Sequence, residues 1–311
     1  AGAGAPPAGG PVSSGPIVPP GPGGAAPAAG VPAPLTVDEE AFAAVMVDLD
    51  ALVGLGGVKR EIHRTGQLLR MRAMRQAAGL KVADVSLHLV FCGGPGTGKT
   101  TVARLYGRLY RALGLLATDR LVEVDRSGLV TGYVGQTAKR VNEVVDSALD
   151  GVLFVDEAYA LAGGGKNDFD GEAIAALLKR MEDDRHRLAV ICAGYTVEME
   201  AFLASNSGLA GRFAETIQFD DYGPEELLAI LERFCGGSDY DLEPDARVRA
   251  GEVLAAWHDA RDATFANART VRNLFDDLIA AQADRLLTPG TTPDAVAMRA
   301  LTAADVDVAA R

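Results

Sequence analysis

One stretch of this sequence has the residue types and the spacing needed to bind phosphate groups. It reads Gly93-Gly94-Pro95-Gly96-Thr97-Gly98-Lys99-Thr100 and matches the pattern G-x-x-x-x-G-K-[ST]. A short apolar run, residues 88–92, precedes it and predicts a buried strand. An amphipathic run, residues 101–113, follows it and predicts a helix. Strand, glycine-rich loop and helix in this order are the context that a P-loop requires.

Each residue type in the loop suits phosphate binding for a physical reason. Glycines clear the space that lets several backbone N–H groups reach phosphate oxygens, and they allow the positive φ angles of the turn. The start of the following helix, at Thr100 and Thr101, adds free N–H groups and the helix dipole. Lys99 supplies a cation for the β- and γ-phosphates, and the Thr100 hydroxyl is a ligand for Mg²⁺. The alternative is a chance match in a chain with 36 glycines.

A second motif supplies two carboxylates. Four apolar residues, 152–155, predict a strand that ends in Asp156 and Glu157. In P-loop enzymes the first carboxylate of such a pair steadies Mg²⁺, and a second one aimed at the γ-phosphate can orient and deprotonate the attacking water. Strands also end in acidic residues without any catalytic role, which is the alternative interpretation. The sequence has no Asn-Lys-x-Asp motif for guanine, so ATP is favoured over GTP.

The composition argues against several classes of function. The 311 residues include 30 Lys and Arg against 42 Asp and Glu, a formal net charge of −12. An acidic chain without a concentrated basic face is a poor candidate for direct nucleic-acid binding. No apolar run is long enough for membrane insertion, and three scattered cysteines indicate reduced thiols and a cytoplasmic protein. One of them, Cys92, adjoins the P-loop, where a redox role and a place in the apolar core are both open.

The sequence divides into three predicted regions. Residues 1–35 are almost entirely Ala, Gly and Pro and predict a disordered tail or an interdomain linker; the sequence, which starts with Ala, does not decide between the two. Residues 36–221 alternate apolar strands with helices, which predicts a parallel sheet sandwiched by helices. Within them, Thr36-Val-Asp-Glu39 has the capping-box pattern of a first helix. Residues 222–311 show only helical patterns and predict a small all-helical domain.

Five motifs together make the chain resemble an AAA+ ATPase. They are Leu52-Val-Gly-Leu, the P-loop, Gly132-Tyr-Val-Gly-Gln-Thr137, Val155-Asp-Glu-Ala-Tyr159 and Asn267-Ala-Arg-Thr-Val-Arg-Asn273. More narrowly, residues 49–287 resemble the group that contains the red-type Rubisco activase CbbX, the sporulation protein SpoVK and the type VII secretion ATPase EccA. The resemblance implies an α/β P-loop NTPase domain followed by a helical lid. It also implies a homo-hexameric ring that hydrolyses ATP with Mg²⁺ at subunit interfaces and pulls a protein client through a central pore.

The resemblance further implies roles for single residues. Val53 and Gly54 would lie against the adenine. Arg269 matches the sensor-2 arginine of the lid, and Arg272, one turn later, is a second candidate; without the resemblance both would be interpreted as solvated charges or packed stems. Arg212 stands where the arginine finger belongs and would reach into the neighbouring subunit's site. The alternative for Arg212 is an ion pair at the surface.

The stretch Tyr133-Val134-Gly135 resembles the aromatic–hydrophobic–glycine loop that grips a client in the pore of AAA+ proteins. An exposed ring suits this role because it can hold many peptide sequences by apolar contact. A buried turn tyrosine is the alternative. The glycine-rich residues 163–169 are either a second pore loop or an ordinary mobile loop.

Two features depart from the family pattern. The finger segment has one arginine where relatives commonly have two, and the fourth strand ends in Tyr195-Thr196 where many members have the sensor-1 asparagine.

Three classes of function follow from these observations. The first is a hexameric, ATP-driven protein remodeller, most similar to the sporulation and secretion members, with a Rubisco-activase-like remodeller as its variant. The second is a switch that assembles on ATP without threading a client, which the missing second arginine favours. The third is a nucleic-acid motor, which the acidic charge opposes. The client cannot be identified from the sequence.

Overall fold

A computed structural model describes residues 36–83, 85–133, 135–162, 169–213, 215–262, 265–287 and 292–311, together with Gly2. The predicted tail, residues 1–35, lies outside the described residues apart from Gly2. Its disorder therefore stays a prediction. The domain boundary after residue 221 also stays a prediction.

A five-stranded parallel sheet lies at the centre of the described chain. Its strands are β1 (Leu89–Gly93), β2 (Leu121–Val124), β3 (Gly151–Val155), β4 (Leu188–Gly194) and β5 (Glu215–Phe219). They pair in the order β2-β3-β4-β1-β5. Every residue of β1, β3 and β4 is buried, which is why these segments are continuous apolar runs in the sequence. The predicted α/β fold class is confirmed.

Helices cover both faces of the sheet. They are α1 (Glu39–Asp50), α2 (Gly56–Ala77), α3 (Lys99–Ala112), α4 (Arg126–Leu129), α5 (Thr137–Ala148), α6 (Phe169–Asp183), α7 (Thr196–Ser205) and α8 (Ser207–Ala210), with a 3-10 turn at Ala158–Ala162. Alternate strand residues point to opposite faces, so Phe91 and Val90 belong to different apolar clusters. On one face Phe91 packs against Tyr106 and Phe219, with ring centroids 5.9 and 5.0 Å apart.

The C-terminal part is helical, as predicted. Its helices are α9 (Pro224–Gly237), α10 (Pro244–Asp259), α11 (Ala268–Leu286), α12 (Ala295–Arg299) and α13 (Ala303–Ala309). The structure adds a parallel pair of two-residue strands, β6 (Asp241–Leu242) and β7 (Ala300–Leu301), which no sequence pattern indicates. The buried Gln282 side chain donates to carbonyl oxygens of residues 297, 298 and 300 and thereby fixes this last segment on α11.

Two sequence signals for helix ends have different outcomes. The helical pattern of residues 58–78 predicts that Gly79 closes a helix, and Gly79 does follow α2 with a φ of 72°, the left-handed conformation typical of that position. The capping-box prediction at Thr36 is wrong. Asp38 is the N-cap of α1, because its carboxylate accepts a hydrogen bond from the Ala41 N–H at 2.9 Å.

His88 is a buried titratable group just before β1, with 2% of its surface exposed. Its Nδ1 accepts from the Val190 N–H at 3.0 Å, which leaves Nε2–H to donate to the Met181 carbonyl at 3.2 Å. Burial lowers the pKa of His88 to about 4; the Arg212 cation also lowers it, whereas the Met181 carbonyl and the Glu182 carboxylate raise it. The folded protein therefore holds a neutral imidazole.

We expect His88 to make the free energy of unfolding depend on pH between about 6.5 and 4. In this window the unfolded chain binds a proton at His88 that the folded chain does not, so stability is full above 6.5 and falls on acidification. The loss attributable to His88 is about 3 kcal/mol at pH 4. Urea unfolding at several pH values measures it against His88→Gln, which cannot titrate. Identical pH dependence in both proteins would contradict the assignment.

Candidate nucleotide-binding site

A cavity of about 390 Å³ lies at the carboxyl ends of the central strands. Ligands bind at this edge in open parallel sheets with helices on both faces. The P-loop, the ends of β3 and β4, and helices α9 and α11 form its walls. Its lining residues are Pro95, Gly96, Thr97, Gly98, Lys99, Thr100, Thr101, Asp156, Glu157, Tyr159, Gly194, Tyr195, Phe234, Ala268, Arg269 and Arg272.

Lys99 lines the cavity and is the first residue of α3. Its Nζ donates to the carbonyl oxygens of Gly93 and Gly94 at 3.0 and 2.7 Å. The Thr97 hydroxyl donates to the same Gly94 oxygen at 2.9 Å. Burial lowers the pKa of Lys99, and the Asp156 carboxylate opposes this effect. The ammonium group is thus held inside the loop that the sequence assigns to phosphate.

Asp156 and Glu157 follow β3 and line the cavity, as the sequence predicts. The Asp156 N–H donates to the Val124 carbonyl at 2.8 Å and continues the pairing of β3 with β2. Glu157 has a φ of 49°, an uncommon conformation for a residue with a side chain. Because the chain turns sharply there, two consecutive carboxylates face one cavity instead of opposite faces of the sheet.

Gly93 and Gly94, which the motif also assigns to phosphate binding, do not line the cavity. Gly93 has a φ of 154°, and a Cβ there would lie 2.3 Å from the Phe219 carbonyl oxygen. A Cβ on Gly94 would lie 2.9 Å from Asp221 Oδ1. These close approaches explain the glycines at both positions.

Val53 and Gly54 do not line this cavity either. Val53 is half-buried against the core. Gly54 has a φ of 60°, and a Cβ there would lie 2.3 Å from Glu226 Oε1 of α9. The segment therefore lies against the first turn of α9, and its contact with adenine stays a prediction.

Two arginines from the first turns of α11 line the cavity. Arg269 is the predicted sensor-2 residue, and no described residue forms an ion pair with its side chain. Arg272 lies over the Phe234 ring, with its guanidinium carbon 3.8 Å from the ring centroid. Phe234 carries no sequence signal for this place, because only the folded lid brings α9 against α11.

Two tyrosines form another wall of the cavity. The rings of Tyr159 and Tyr195 lie 5.8 Å apart at 31°. Gly194 makes room for them, since a Cβ there would lie 2.6 Å from the Tyr159 ring. Burial, followed by the nearby Glu157 carboxylate, raises the pKa of Tyr159 to about 12. Of the two sensor-1 candidates, Tyr195 lines the cavity, whereas the Thr196 hydroxyl accepts a hydrogen bond from Gln218 at 3.1 Å.

Arg212 is not among the residues that line the cavity. Its guanidinium pairs with Glu182, and its carbonyl accepts from the Ser86 hydroxyl at 2.7 Å. Both the finger role in a neighbouring subunit and the surface ion pair were open in the sequence; the ion pair is formed in this single chain.

Tyr133 and Gly135 of the predicted pore loop do not line the cavity. Tyr133 is 71% exposed, which argues against a buried turn tyrosine, and Gly135 has a φ of 76°. Val134 and residues 163–168 lie outside the described residues, so neither pore-loop prediction is tested there.

The donor set of the cavity suits a hard cation. Thr100 and Asp156 both line it and offer oxygen ligands. Mg²⁺ is held in such sites by one or two protein oxygens together with phosphates and water. Within the described ranges no cluster of three or more His, Cys, Asp or Glu residues could hold a metal ion alone. Among the same residues, no helix is long and apolar enough to cross a membrane.

Family models match most of the described chain. Residues 89–221 match the "ATPase family associated with various cellular activities (AAA)", and residues 223–311 match the "AAA lid domain".

Curated relatives agree with the group named from the motifs. Stage V sporulation protein K of Bacillus subtilis is 41% identical over 241 residues, which cover 77% of this chain and 75% of that protein. The ESX-3 secretion system protein EccA3 of Mycobacterium tuberculosis is 46% identical over 201 residues, or 64% of this chain and 32% of that protein. The ESX-1 protein EccA1 is 44% identical over 211 residues, or 67% of this chain and 37% of that protein. The chain thus spans about a third of the length of the secretion-system relatives.

Solved structures show the same fold at low sequence identity. The AAA domain of FIGL-1 superimposes with a TM-score of 0.59 at 18% identity, covering 90% of this chain and 91% of that one. A RuvB variant from Thermotoga maritima gives a TM-score of 0.57 at 18% identity, covering 84% and 71%.

We expect Gly96→Ala to weaken nucleotide binding at least tenfold. Gly96 has a φ of 67°, and a Cβ there would lie 2.1 Å from the Ala266 carbonyl oxygen and 2.9 Å from the Arg269 nitrogen. The P-loop and the lid must therefore move apart, and a small misplacement of binding groups is costly. Titration with a fluorescent ADP analogue measures the effect. The control is Gly236→Ala in α9, where a Cβ meets no atom within 4 Å. Equal affinity in both variants would contradict the role of this contact.

Proposed function

The chain belongs to the AAA family of ATPases, and from this premise we propose that it is an ATP-driven remodeller of protein clients that works as a homo-hexamer. One observation supports the catalytic half of the proposal most strongly. Lys99, Asp156 and Glu157 line a single cavity together with Arg269 of the lid. Phosphate binding, metal binding, water activation and a sensor on a second domain are thereby available in one place.

Each side chain has a defined task in the proposed reaction. Lys99 binds the β- and γ-phosphates of ATP. Thr100 and Asp156 would hold Mg²⁺, which when bound neutralises charge on the phosphates. Glu157 orients the attacking water and accepts its proton. Arg269 contacts the γ-phosphate from the lid, so the lid position would change when that phosphate is lost.

The position of Arg212 supports the proposed assembly. This residue does not line its own cavity, so a role at the γ-phosphate requires a second copy of the chain. Arginine fingers supplied in this way raise phosphoryl-transfer rates about 10³–10⁵-fold in GTPases. We therefore place the active site at a subunit interface, with Arg212 exchanging its Glu182 partner for the neighbour's nucleotide.

The client of the proposed motor is a protein of unknown identity. Its relatives carry names from sporulation and from a secretion system, and we propose that this chain is most like these, with a Rubisco-activase-like remodeller as the alternative. The net charge of −12 opposes a nucleic-acid substrate. We further propose a cytoplasmic location.

Glu157→Gln is the variant that tests the catalytic proposal. We expect a fall in kcat of about 10²–10⁴, the usual contribution of a general base, because glutamine cannot accept the proton. Nucleotide affinity should stay within about threefold of wild type. Lys99→Ala should instead abolish nucleotide binding. The control is Glu252→Gln, which removes an exposed carboxylate of α10 outside the cavity. Unchanged ATPase activity in Glu157→Gln would remove Glu157 from its role.

The same variant tests assembly, because it holds ATP without turning it over. Its solution mass should be that of a hexamer with ATP and Mg²⁺ and smaller without nucleotide. A monomer in both states would contradict the ring and with it the finger role of Arg212.

A nucleotide-dependent switch is the second candidate function, and the single finger arginine favours it. Tyr133 distinguishes the two, since a threading motor needs its exposed ring to grip the client. If the protein is a motor, Tyr133→Ala should keep basal ATPase activity within about twofold. It should lose the ability to remodel a client protein, where the client is first identified by its capture on the ATP-bound Glu157→Gln variant. Tyr133→Phe, the control, should behave like wild type. Unimpaired client activity in Tyr133→Ala would favour the switch.

A further inference from the structure

Three successive carbonyl oxygens of the P-loop are occupied from outside the loop. Each accepts one hydrogen bond at 3.2 Å, and the pairs are Pro95 with Asn267 Nδ2, Gly96 with the Ala268 N–H, and Thr97 with the Tyr222 hydroxyl. All three donors come from the lid or from the segment that leads into it. The lid therefore holds the backbone of the P-loop directly, in addition to placing Arg269 in the cavity.

This contact fixes the direction of the phosphate-binding groups. In a trans peptide the C=O of one residue and the N–H of the next point in opposite directions across a rigid plane. Carbonyls held on the lid side therefore aim the N–H groups of Gly96, Thr97 and Gly98 away from the lid contacts, toward the phosphate position. No described residue accepts a hydrogen bond from these three N–H groups. They are the donors that a P-loop offers to phosphate.

Asn267 is the centre of this contact. The residue is completely buried, and its carboxamide donates both to the Pro95 carbonyl and to the Asp221 carboxylate, the latter at 2.7 Å. Its oxygen accepts from the Tyr222 N–H at 3.0 Å. One side chain thus joins the P-loop, the chain segment between the two domains and the start of α11. Two residues further on is Arg269.

The backbone of Asn267 makes the side chain's importance testable. Its φ and ψ are 51° and −124°, close to a conformation that glycine adopts freely in turns and that a residue with a Cβ adopts only under strain. Glycine would therefore suit the turn better than asparagine. The structure keeps the strained residue together with its three hydrogen bonds.

We propose that Asn267 is a positioning residue for ATP binding and hydrolysis. Its side chain sets the orientation of the P-loop N–H groups and couples this orientation to the position of the lid. The proposal rests on the ATPase function proposed above. It goes beyond that function because Asn267 need not touch the nucleotide. When the lid moves together with Arg269, Asn267 and Ala268 move with it and shift the Pro95 and Gly96 carbonyls to which they donate. The lid then changes the phosphate cradle itself.

Asn267→Gly separates the side chain from the turn. Glycine keeps the backbone and relieves its strain, so the melting temperature should not fall by more than a few degrees. Loss of the carboxamide should weaken ADP binding about tenfold and lower kcat/KM about 10- to 100-fold, the scale of a small misplacement at a reacting centre. Amide hydrogen exchange in the P-loop peptide should also become faster.

Further variants isolate the hydrogen bonds. Asn267→Asp places an acceptor opposite the Pro95 carbonyl and the Asp221 carboxylate, so it should bind ADP more weakly than Asn267→Gly does. Tyr222→Phe removes only the donor to Thr97 and should weaken ADP binding about threefold. Asp239→Gly is the matched control: it also relieves a positive φ, 58°, but its side chain is 89% exposed and lies outside the cavity. It should behave like wild type.

The outcomes distinguish the two proposals. Wild-type ADP affinity and kcat/KM in Asn267→Gly would overturn the positioning role, even if the melting temperature changed. Equal ADP affinity in wild type and Tyr222→Phe, together with equal affinity in Asn267→Asp and Asn267→Gly, would overturn it as well. If Glu157→Gln abolishes turnover while Asn267→Gly does not impair it, only this inference fails. If Glu157→Gln keeps turnover, the ATPase assignment of the site fails first.

Discussion

The P-loop can bind phosphate only if its carbonyl oxygens find hydrogen-bond donors other than its own backbone N–H groups, which then stay available for phosphate. Buried carbonyls and N–H groups each need a hydrogen bond, and a loop that paired its own groups would have none left for a ligand. In this chain Lys99 and Thr97 take the first carbonyls, and Asn267, Ala268 and Tyr222 take the next three. The sheet supplies the rigid end of the loop through β1, its fourth strand in order. The nucleotide site accordingly depends on both domains, although the P-loop motif lies in only one.

Sequence patterns predicted the parts of the molecule that depend on local order. The apolar runs of β1, β3 and β4 are buried on both faces, so they needed no alternation to be recognised. The P-loop is equally local, because consecutive residues form one turn. The P-loop motif predicted Lys99 and Thr100, the strand with two carboxylates predicted Asp156 and Glu157, and the family resemblance implied Arg269. All five line one cavity.

The parts that sequence reasoning missed depend on contacts between distant segments. Phe234 enters the site because α9 packs beside α11, and no spacing in the sequence encodes that contact. Asn267 was visible as the first letter of a motif, but its role requires knowledge of where Pro95 and Asp221 lie. The short strands β6 and β7 have two residues each, fewer than any periodicity can reveal. The N-cap of α1 was assigned to Thr36 instead of Asp38 because both residues, two positions apart, carry a side-chain oxygen that can accept a hydrogen bond from the first turn of a helix.

The ion pair between Arg212 and Glu182 lies close to a buried imidazole, and this gives the molecule an internal reporter. Burial dominates the low pKa of His88, but the Arg212 cation contributes to it and the Glu182 carboxylate opposes it. If Arg212 leaves Glu182 for another subunit, the imidazole loses a nearby positive charge while the negative one remains. Its ring resonances would then shift, although His88 itself is buried. A magnetic-resonance probe of one histidine would thus follow the formation of subunit contacts without any added label.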